Sequence, residues 1–580
     1  GISERIIELI KNNEEEALFS KTLAKIRTDV PINFNLPLKT FWENADLKKI
    51  EQVFTLFEFR SLFGRLKGFF AEGNPGTPFF SSLRPSSGAS GSKWDPREQK
   101  KGSTRVSLDP IKLQEASIAL WLINSEITNP NLEDILHFAN TEDFNIASEY
   151  IFKQLKENNL DKIYEEIELS IMHTIKQMED HGILIDKKYF KNLSAEYHTE
   201  LNKLTAKIYK MADIEFNINS PKQLSEVLFD KMGIKTNQKR KRLPTGGSGS
   251  FSTKVSILEE LEEENPIIKE ILAYRELQKL LSTYIDVIPK MTGADGRLHA
   301  KFLQNGTITG RFSSQDPNLQ NLPIKTELGK RIRGGFIASK SFKLCAFDYS
   351  QIELRVAAML SGDKKMTAIF REKKDIHSGV ASFVFNVPIL QVDSEMRRQA
   401  KIINFGIIYG MGVSALRKNL GGTRIEAQKF YDNYFNQFSG VRDYLEKVKI
   451  FALKNSYTET LFGRRRYFPN INSRIPFLKN MAERTATNAP VQGTAADIIK
   501  LAIRYAEEDL KKAGLLDKIY LVLQIHDELV YEIEENALEQ ASEIIKSAME
   551  SVLLRSYLHY KTEIPLVVRF GSGDNLGEVK

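Results

Sequence analysis

From Ser394 to Gly412 the chain reads SEMRRQAKIINFGIIYGMG, in which Arg397, Lys401, Phe405 and Tyr409 recur every fourth residue. That spacing drifts slowly around a helix, so all four share one broad face. Ile402, Ile403, Ile407 and Ile408 fall on the other side and no proline intervenes, which predicts a packed amphipathic helix. A different pattern surrounds Asp348. FKLCAFDY predicts an apolar strand ending near the aspartate, and SQIELR after it predicts a helix whose Ser350 and Glu353 are spaced as a capping box. KIYLVLQIHDELVYEIE predicts two β-rich runs meeting at His526-Asp527-Glu528.

Elsewhere, Ile167, Ile171, Ile175 and Met178 mark a helix face between Ile163 and Met178, with Gly182 as its stop. Ser220-Pro221-Lys222-Gln223 predicts a helix start, and Asn265-Pro266 another, running toward Tyr284. Residues 71–104 are dense in Gly, Ser and Pro with little apolar period, a linker composition.

At 580 residues the chain is too long for one core, and domain statistics suggest about three or four units. A net charge of +7 over this length licenses local basic patches only. The single cysteine, Cys345, excludes an intrachain disulfide and a cysteine-based zinc site, and fits a reducing compartment. No apolar run approaches a membrane span, and the first residues lack a charged-then-apolar signal. The opening residue is Gly1, as expected of a fragment or processed product.

The chemistry these patterns suggest is consistent. Guanidinium and ammonium groups suit phosphate oxygens, and aromatic faces suit a flat ring, so the 394–412 helix could grip a nucleoside triphosphate. Each feature alone also has a plainer reading. The helix could be a core helix with two solvated cations, Asp348 a strand-end carboxylate, and Asp527 the cap of a hairpin turn. Taken together, Asp348 and Asp527 supply the carboxylates that a pair of Mg²⁺ ions needs.

DYSQIELR (348–355), RRQAKIINFGIIYG (397–410) and QIHDELVYEI (524–533) resemble the three signature motifs of family A DNA polymerases, in the family's order. TITGRFSSQDPNLQNLP (307–323) and APVQGTAADIIK (489–500) match two further blocks of its bacterial-type members, so the resemblance runs from about residue 165 to the C-terminus. It implies a mixed α/β right-hand polymerase: thumb at 165–290, palm at 291–362 and 453–580, fingers at 363–452. Residues 1–35 resemble the seam after a 5′-nuclease missing here, and 36–164 a degenerate 3′–5′ exonuclease. No Asp-x-Glu ends an apolar strand between 36 and 165, and Phe144 to Ser148 stands where proofreading members have an aromatic-x-x-x-Asp.

The resemblance further implies DNA-directed DNA synthesis without proofreading, in replication or repair gap filling, by a monomer acting on primer-template DNA and deoxynucleoside triphosphates in the cytoplasm. Asp348 and Asp527 would hold two Mg²⁺ ions with the Tyr349 carbonyl, and Glu528, facing the other side of an extended strand, would help indirectly. Arg397 would meet the terminal phosphate, Lys401 the α-phosphate or the leaving pyrophosphate, and His377 the β-phosphate. From its residues alone, His377 reads as an ordinary surface histidine. Gln351, Phe405 and Tyr409 would contact the incoming nucleotide, with Glu353 and Tyr409 filling the space a ribose 2′-hydroxyl needs.

Arg311, Asn318, Gln320, Arg484, Asn488, Gln492 and His526 would contact primer and template, although Asp-Pro-Asn is also plain turn chemistry and 484, 488 and 492 could be an exposed polar stripe. Lys239, Arg240, Lys241 and Arg242 would meet the phosphates of the product duplex, or form a solvated loop or localisation signal. A catalytically silent DNA-binding relative and a single-subunit RNA polymerase are the competing readings; Asp348 with Asp527 opposes the first and Glu353 the second.

Overall fold

Asp109 caps α1 (Pro110–Ile123), its carboxylate accepting from the Ile111 amide at 2.9 Å with proline at the first helical position. The second half of α1 is buried on all sides, against α2 (Phe144–Glu157), which carries Ser148. In the computed structural model, residues 109–234, 251–323 and 326–579 are described. The expectations for 1–108, including the 71–104 linker, and for Lys239–Arg242 lie outside these residues.

The face from Ile163 to Met178 is buried as predicted, no member more than 4% exposed, but it is not one regular helix. A π turn at Tyr164–Glu168 and a 3₁₀ turn at Leu169–Ile171 precede α3 (Met172–His181). The wider turn lets Ile167 and Glu168 both face inward, and Glu168 is wholly buried. Gly182 ends α3 at φ 62°.

β1 (Ile183–Ile185) leads into α4 (Lys187–Ala212), which packs along α5 (Pro266–Leu280). The Ser220 hydroxyl accepts from the Gln223 amide at 3.4 Å, but that helix is short, Pro221–Ser225. Gln223 does not complete a capping box, because its side chain accepts from the Asn217 amide while the Ser220 amide donates to the Asn217 carbonyl.

β2 (Arg297–Leu298) and β3 (Phe336–Ile337) flank β1 in a small antiparallel sheet. The central sheet is antiparallel and four-stranded. It comprises β4 (Phe342–Tyr349), β5 (Ile519–Ile525), β6 (Glu528–Glu534) and β7 (Val568–Gly573), ordered β7-β4-β6-β5. Leu344 to Phe347 are buried on both faces of β4, which is why that run is continuously apolar.

Between β4 and β5 the chain is largely helical: α6 (Ile352–Ser361), α7 (Ile376–Phe385), α8 (Ser394–Ile408) and the long α9 (Pro476–Lys512). α10 (Leu538–Glu550) covers the sheet and is backed by α9. The architecture is therefore the expected mixed α/β one. None of the described helices is long and apolar enough to cross a membrane.

Candidate active site

Pairing of β4 with β6 sets Asp348 directly opposite Glu528, while β5 and β6 turn over His526 and Asp527, with His526 at φ 52°. The Tyr349 amide donates to the Asp527 carbonyl at 3.1 Å, fastening the hairpin tip to the end of β4. The two aspartates thus arrive at one edge of the sheet, in the wall of a cleft of about 590 Å³ that Tyr284 and Lys279 also line.

Burial is the main influence on the Asp527 carboxyl. Arg311 opposes it, Glu353 and Asp348 add to it, and the balance pushes the group up to about 6. Its Oδ1 has no hydrogen-bond partner. Glu528 is also buried, with Arg333 at 3.6 Å. The Tyr349 phenol donates to the Met549 carbonyl at 2.7 Å, so only its backbone can serve the site.

Among the described residues no three Asp, Glu, His or Cys side chains form a closed metal cage. Two carboxylates, one with an orphaned buried oxygen, instead fit a divalent cation that takes its remaining oxygens from water and phosphate.

The capping box expected at Ser350 and Glu353 does not form. Gln351 stands at the N-cap position in the left-handed conformation, φ 56° and ψ 40°, and α6 begins uncapped at Ile352. Glu353 is buried and otherwise engaged: Arg311 Nη2 donates to one oxygen at 2.6 Å and the Tyr409 hydroxyl to the other at 2.7 Å. A charge-assisted bond outcompetes the backbone amide, and the Ser350 amide donates to Val567 instead. Arg355 braces the turn by donating to the Ser350 and Pro565 carbonyls.

α8 forms as its periodicity predicts. Ile403, Ile407 and Ile408 are buried, Ile402 is half-buried, and Lys401 and Tyr409 are exposed. Asp393 caps the helix, Tyr409 closes it, and Gly410 follows at φ 66°. Arg397 forms a bidentate pair with Asp375, at 3.1 and 3.0 Å. Lys401 has no carboxylate within ion-pair distance among the described residues.

His377 departs from the plain surface reading. It is buried at the start of α7, 3.2 Å from the Asn404 amide nitrogen and 5.7 Å from the Phe405 ring centre. Burial, abetted by Arg397 and Lys401 and opposed by Asp375, lowers it to about 4, so it is neutral at pH 7.

Arg311, Gln320, Gln492 and His526 line one pocket of about 260 Å³ beside the acidic edge. Gln320 donates to the Gln524 side chain at 2.8 Å. Asn318 caps a turn, accepting from the Gln320 amide at 3.1 Å, so its turn chemistry is real. Arg484 lies on α9 beside Gly410, where an added Cβ would come within 3.1 Å of it. Asn488 is half-buried one turn on, with Oδ1 unpartnered.

The sequence reading missed Asp375, Asn404, Arg333 and Gln524. Only Gln524 left a signal, as the one polar residue in the apolar run LVLQI.

Comparison with known proteins places these motifs. The sequence model of DNA polymerase family A matches residues 187–578. DNA polymerase I, thermostable, of Thermus aquaticus is 44% identical over 414 residues, covering 71% of this chain and 48% of that protein. DNA polymerase I of Pseudomonas aeruginosa is 40% identical over 422 residues, covering 72% and 45%. The chain spans about half the length of the curated relatives it matches. Among solved structures, the POL domain of Pol1 from M. smegmatis, in complex with DNA primer-template and dNTP, superposes with a TM-score of 0.74 at 33% identity, over 80% of this chain and 82% of that one.

Proposed function

The chain belongs to DNA polymerase family A, and from that premise we propose that it performs template-directed DNA synthesis, adding deoxynucleotides to a primer 3′-end with release of pyrophosphate. The observation that carries this reading is the meeting of Asp348 and Asp527 at one sheet edge, beside the Arg311–Glu353–Tyr409 group. In the layout proposed, 165–290 is the thumb, 291–362 and 453–580 the palm, and 363–452 the fingers.

Asp348 and Asp527 would hold two Mg²⁺ ions, with the Tyr349 carbonyl as a further oxygen. When bound, the ions acidify the primer hydroxyl and neutralise the triphosphate. Asp527 is ionised at neutral pH, since its group is raised only to about 6. Arg397 exchanges Asp375 for the terminal phosphate, and the unpaired Lys401 meets the α-phosphate and protonates the leaving pyrophosphate. His377, neutral and buried, offers the β-phosphate a hydrogen bond rather than a charge. Phe405, Tyr409 and Gln351 lie against the incoming nucleotide, and Glu528 acts through water.

Glu353 selects the sugar. Both its oxygens are already bonded, so a ribose 2′-hydroxyl arriving there must displace a partner or stay unpaired. Arg311, Asn318, Gln320, Arg484, Asn488, Gln492 and His526 grip primer and template. Lys239, Arg240, Lys241 and Arg242 contact duplex phosphates in a salt-dependent manner. Without a carboxylate at Ser148, the chain does not proofread.

Primer extension tests the proposal. Wild type extends with dNTPs far better than with rNTPs, Asp527→Ala does not extend, and a 3′-labelled mismatched primer is not trimmed. Near-wild-type extension by Asp527→Ala removes the carboxylate assignment, and rapid Mg²⁺-dependent trimming removes the claim about proofreading.

A further inference from the structure

The segment bearing Arg311 is held from outside. Residues 304–312 belong to no helix or strand, so their backbone groups need partners elsewhere. Three hydrogen bonds tie residues 305 and 307 to the N-terminal helical layer. The Asn129 amide donates to the Asn305 carbonyl at 2.9 Å, the Asn305 side chain donates to the Ser117 hydroxyl at 3.0 Å, and Trp121 Nε1 donates to the Thr307 carbonyl at 2.9 Å. The Thr307 hydroxyl then donates to the Arg311 carbonyl at 2.7 Å, closing a turn whose Gly310 sits at φ 86°. The turn lies close against Arg464, since a Cβ on Gly310 would stand 3.0 Å from Arg464 Cδ. Arg464 and Lys500 in turn pack on the Trp121 ring at 5.0 and 5.1 Å.

We propose that Trp121 is a positioning residue for sugar selection: through the Thr307 carbonyl it fixes the turn carrying Arg311, and through Arg311 the Glu353 carboxylate that the Tyr409 hydroxyl meets. The inference rests on the polymerase reading above and assigns the 109–131 segment a part in it. If the turn drifts, Arg311 leaves Glu353 with Tyr409 alone, and the carboxylate swings away from the space it guards. Asp348 and Asp527, held by the sheet, stay in place.

The test uses single-nucleotide insertion by the full chain, comparing kcat/KM for a dNTP and the matching rNTP. Trp121→Phe keeps a ring against Arg464 but lacks the N–H, and Thr307→Val keeps the bulk but lacks the hydroxyl. Both are expected to lower the deoxy-over-ribo ratio about fivefold or more and to speed amide exchange across residues 306–311. Neither lowers the ratio further in a Glu353→Ala background. An unchanged ratio in Trp121→Phe, or an equal further fall in Glu353→Ala, overturns the proposal. A wild-type chain that inserts no nucleotide removes the polymerase reading instead. Exchange in the free protein then decides the brace alone, and no quickening in Trp121→Phe overturns it.

Discussion

Asp527 meets two demands that conflict. To hold a cation it must be charged, yet it lies buried near Glu353 and Asp348, relieved only by Arg311, and its group is pushed up to about 6. In the unfolded chain such a group titrates near 4. Because the folded value is the higher one, the stability it contributes is fully present below about pH 4 and is lost as pH rises through about 6. Asp527→Asn keeps the shape without the charge. Its thermal midpoint is expected to match wild type near pH 4 and to exceed it by about 2–4 °C at pH 7, while primer extension falls about 10³-fold. Melting curves at the two pH values together with extension assays check both halves; a midpoint below wild type at pH 7 would contradict the reading of Asp527 as a strained charge. Glu353 illustrates the opposite solution. It too is buried, but two donors satisfy it, so its charge is accommodated by its neighbours.

At the level of elements, α7 and α8 touch through His377 with Asn404 and through the ion pair of Arg397 with Asp375, the residue that caps α7. The pair is half-exposed, so it is worth only about 0.2–1 kcal/mol. A phosphate can therefore displace it readily, but must still displace it. Asp375→Asn retains the cap that Asp375 gives the Ser378 amide and removes the competing charge. The KM for dNTPs is expected to fall about two- to fivefold, whereas Arg397→Ala raises it; equal KM values in wild type and Asp375→Asn would mean that the pair does not compete with phosphate. α8 was legible in the sequence because its four-residue polar spacing and its isoleucines fix the buried side unaided. The strand ends near Asp348 and Asp527 were legible too, since each follows a long β-rich apolar run that gives way to polar residues. The capping box at Ser350 was misread because its glutamate bonds to residues 42 and 56 positions away, and local spacing carries no sign of such partners. His377 was misread as a surface residue for a related reason: its burial depends on Asn404 and Phe405 of a different helix.

Across the whole molecule, one buried charge cluster joins segments that the sequence gives no reason to connect. Lys500 on α9 donates to both oxygens of Glu168 at 2.7 and 3.0 Å, and Arg464 Nε donates to Asp497 at 2.7 Å while its Nη2 reaches Glu168. Each of the four is at most 5% exposed, and their formal charges cancel. Burial alone would raise the Glu168 carboxyl, but Lys500 and Arg464 outweigh it and hold the group below its ordinary range. In the sequence Lys500 reads as a stray polar residue in IIKLAI, and nothing marks Glu168, 332 residues earlier, as its partner. Removing one member leaves its partner's charge undercompensated in the core, whereas removing an oppositely charged pair restores the balance. Lys500→Met is therefore expected to cost about 3–5 kcal/mol, and Glu168→Gln combined with Lys500→Met to recover most of that loss. Denaturant unfolding followed by far-ultraviolet circular dichroism and by the fluorescence of Trp121, with Trp42 and Trp94 replaced by Phe throughout, measures both variants. The cluster joins the layer containing Trp121 to α9, so the two signals should move together in wild type, and a double variant no more stable than Lys500→Met would show that charge balance is not what holds this junction.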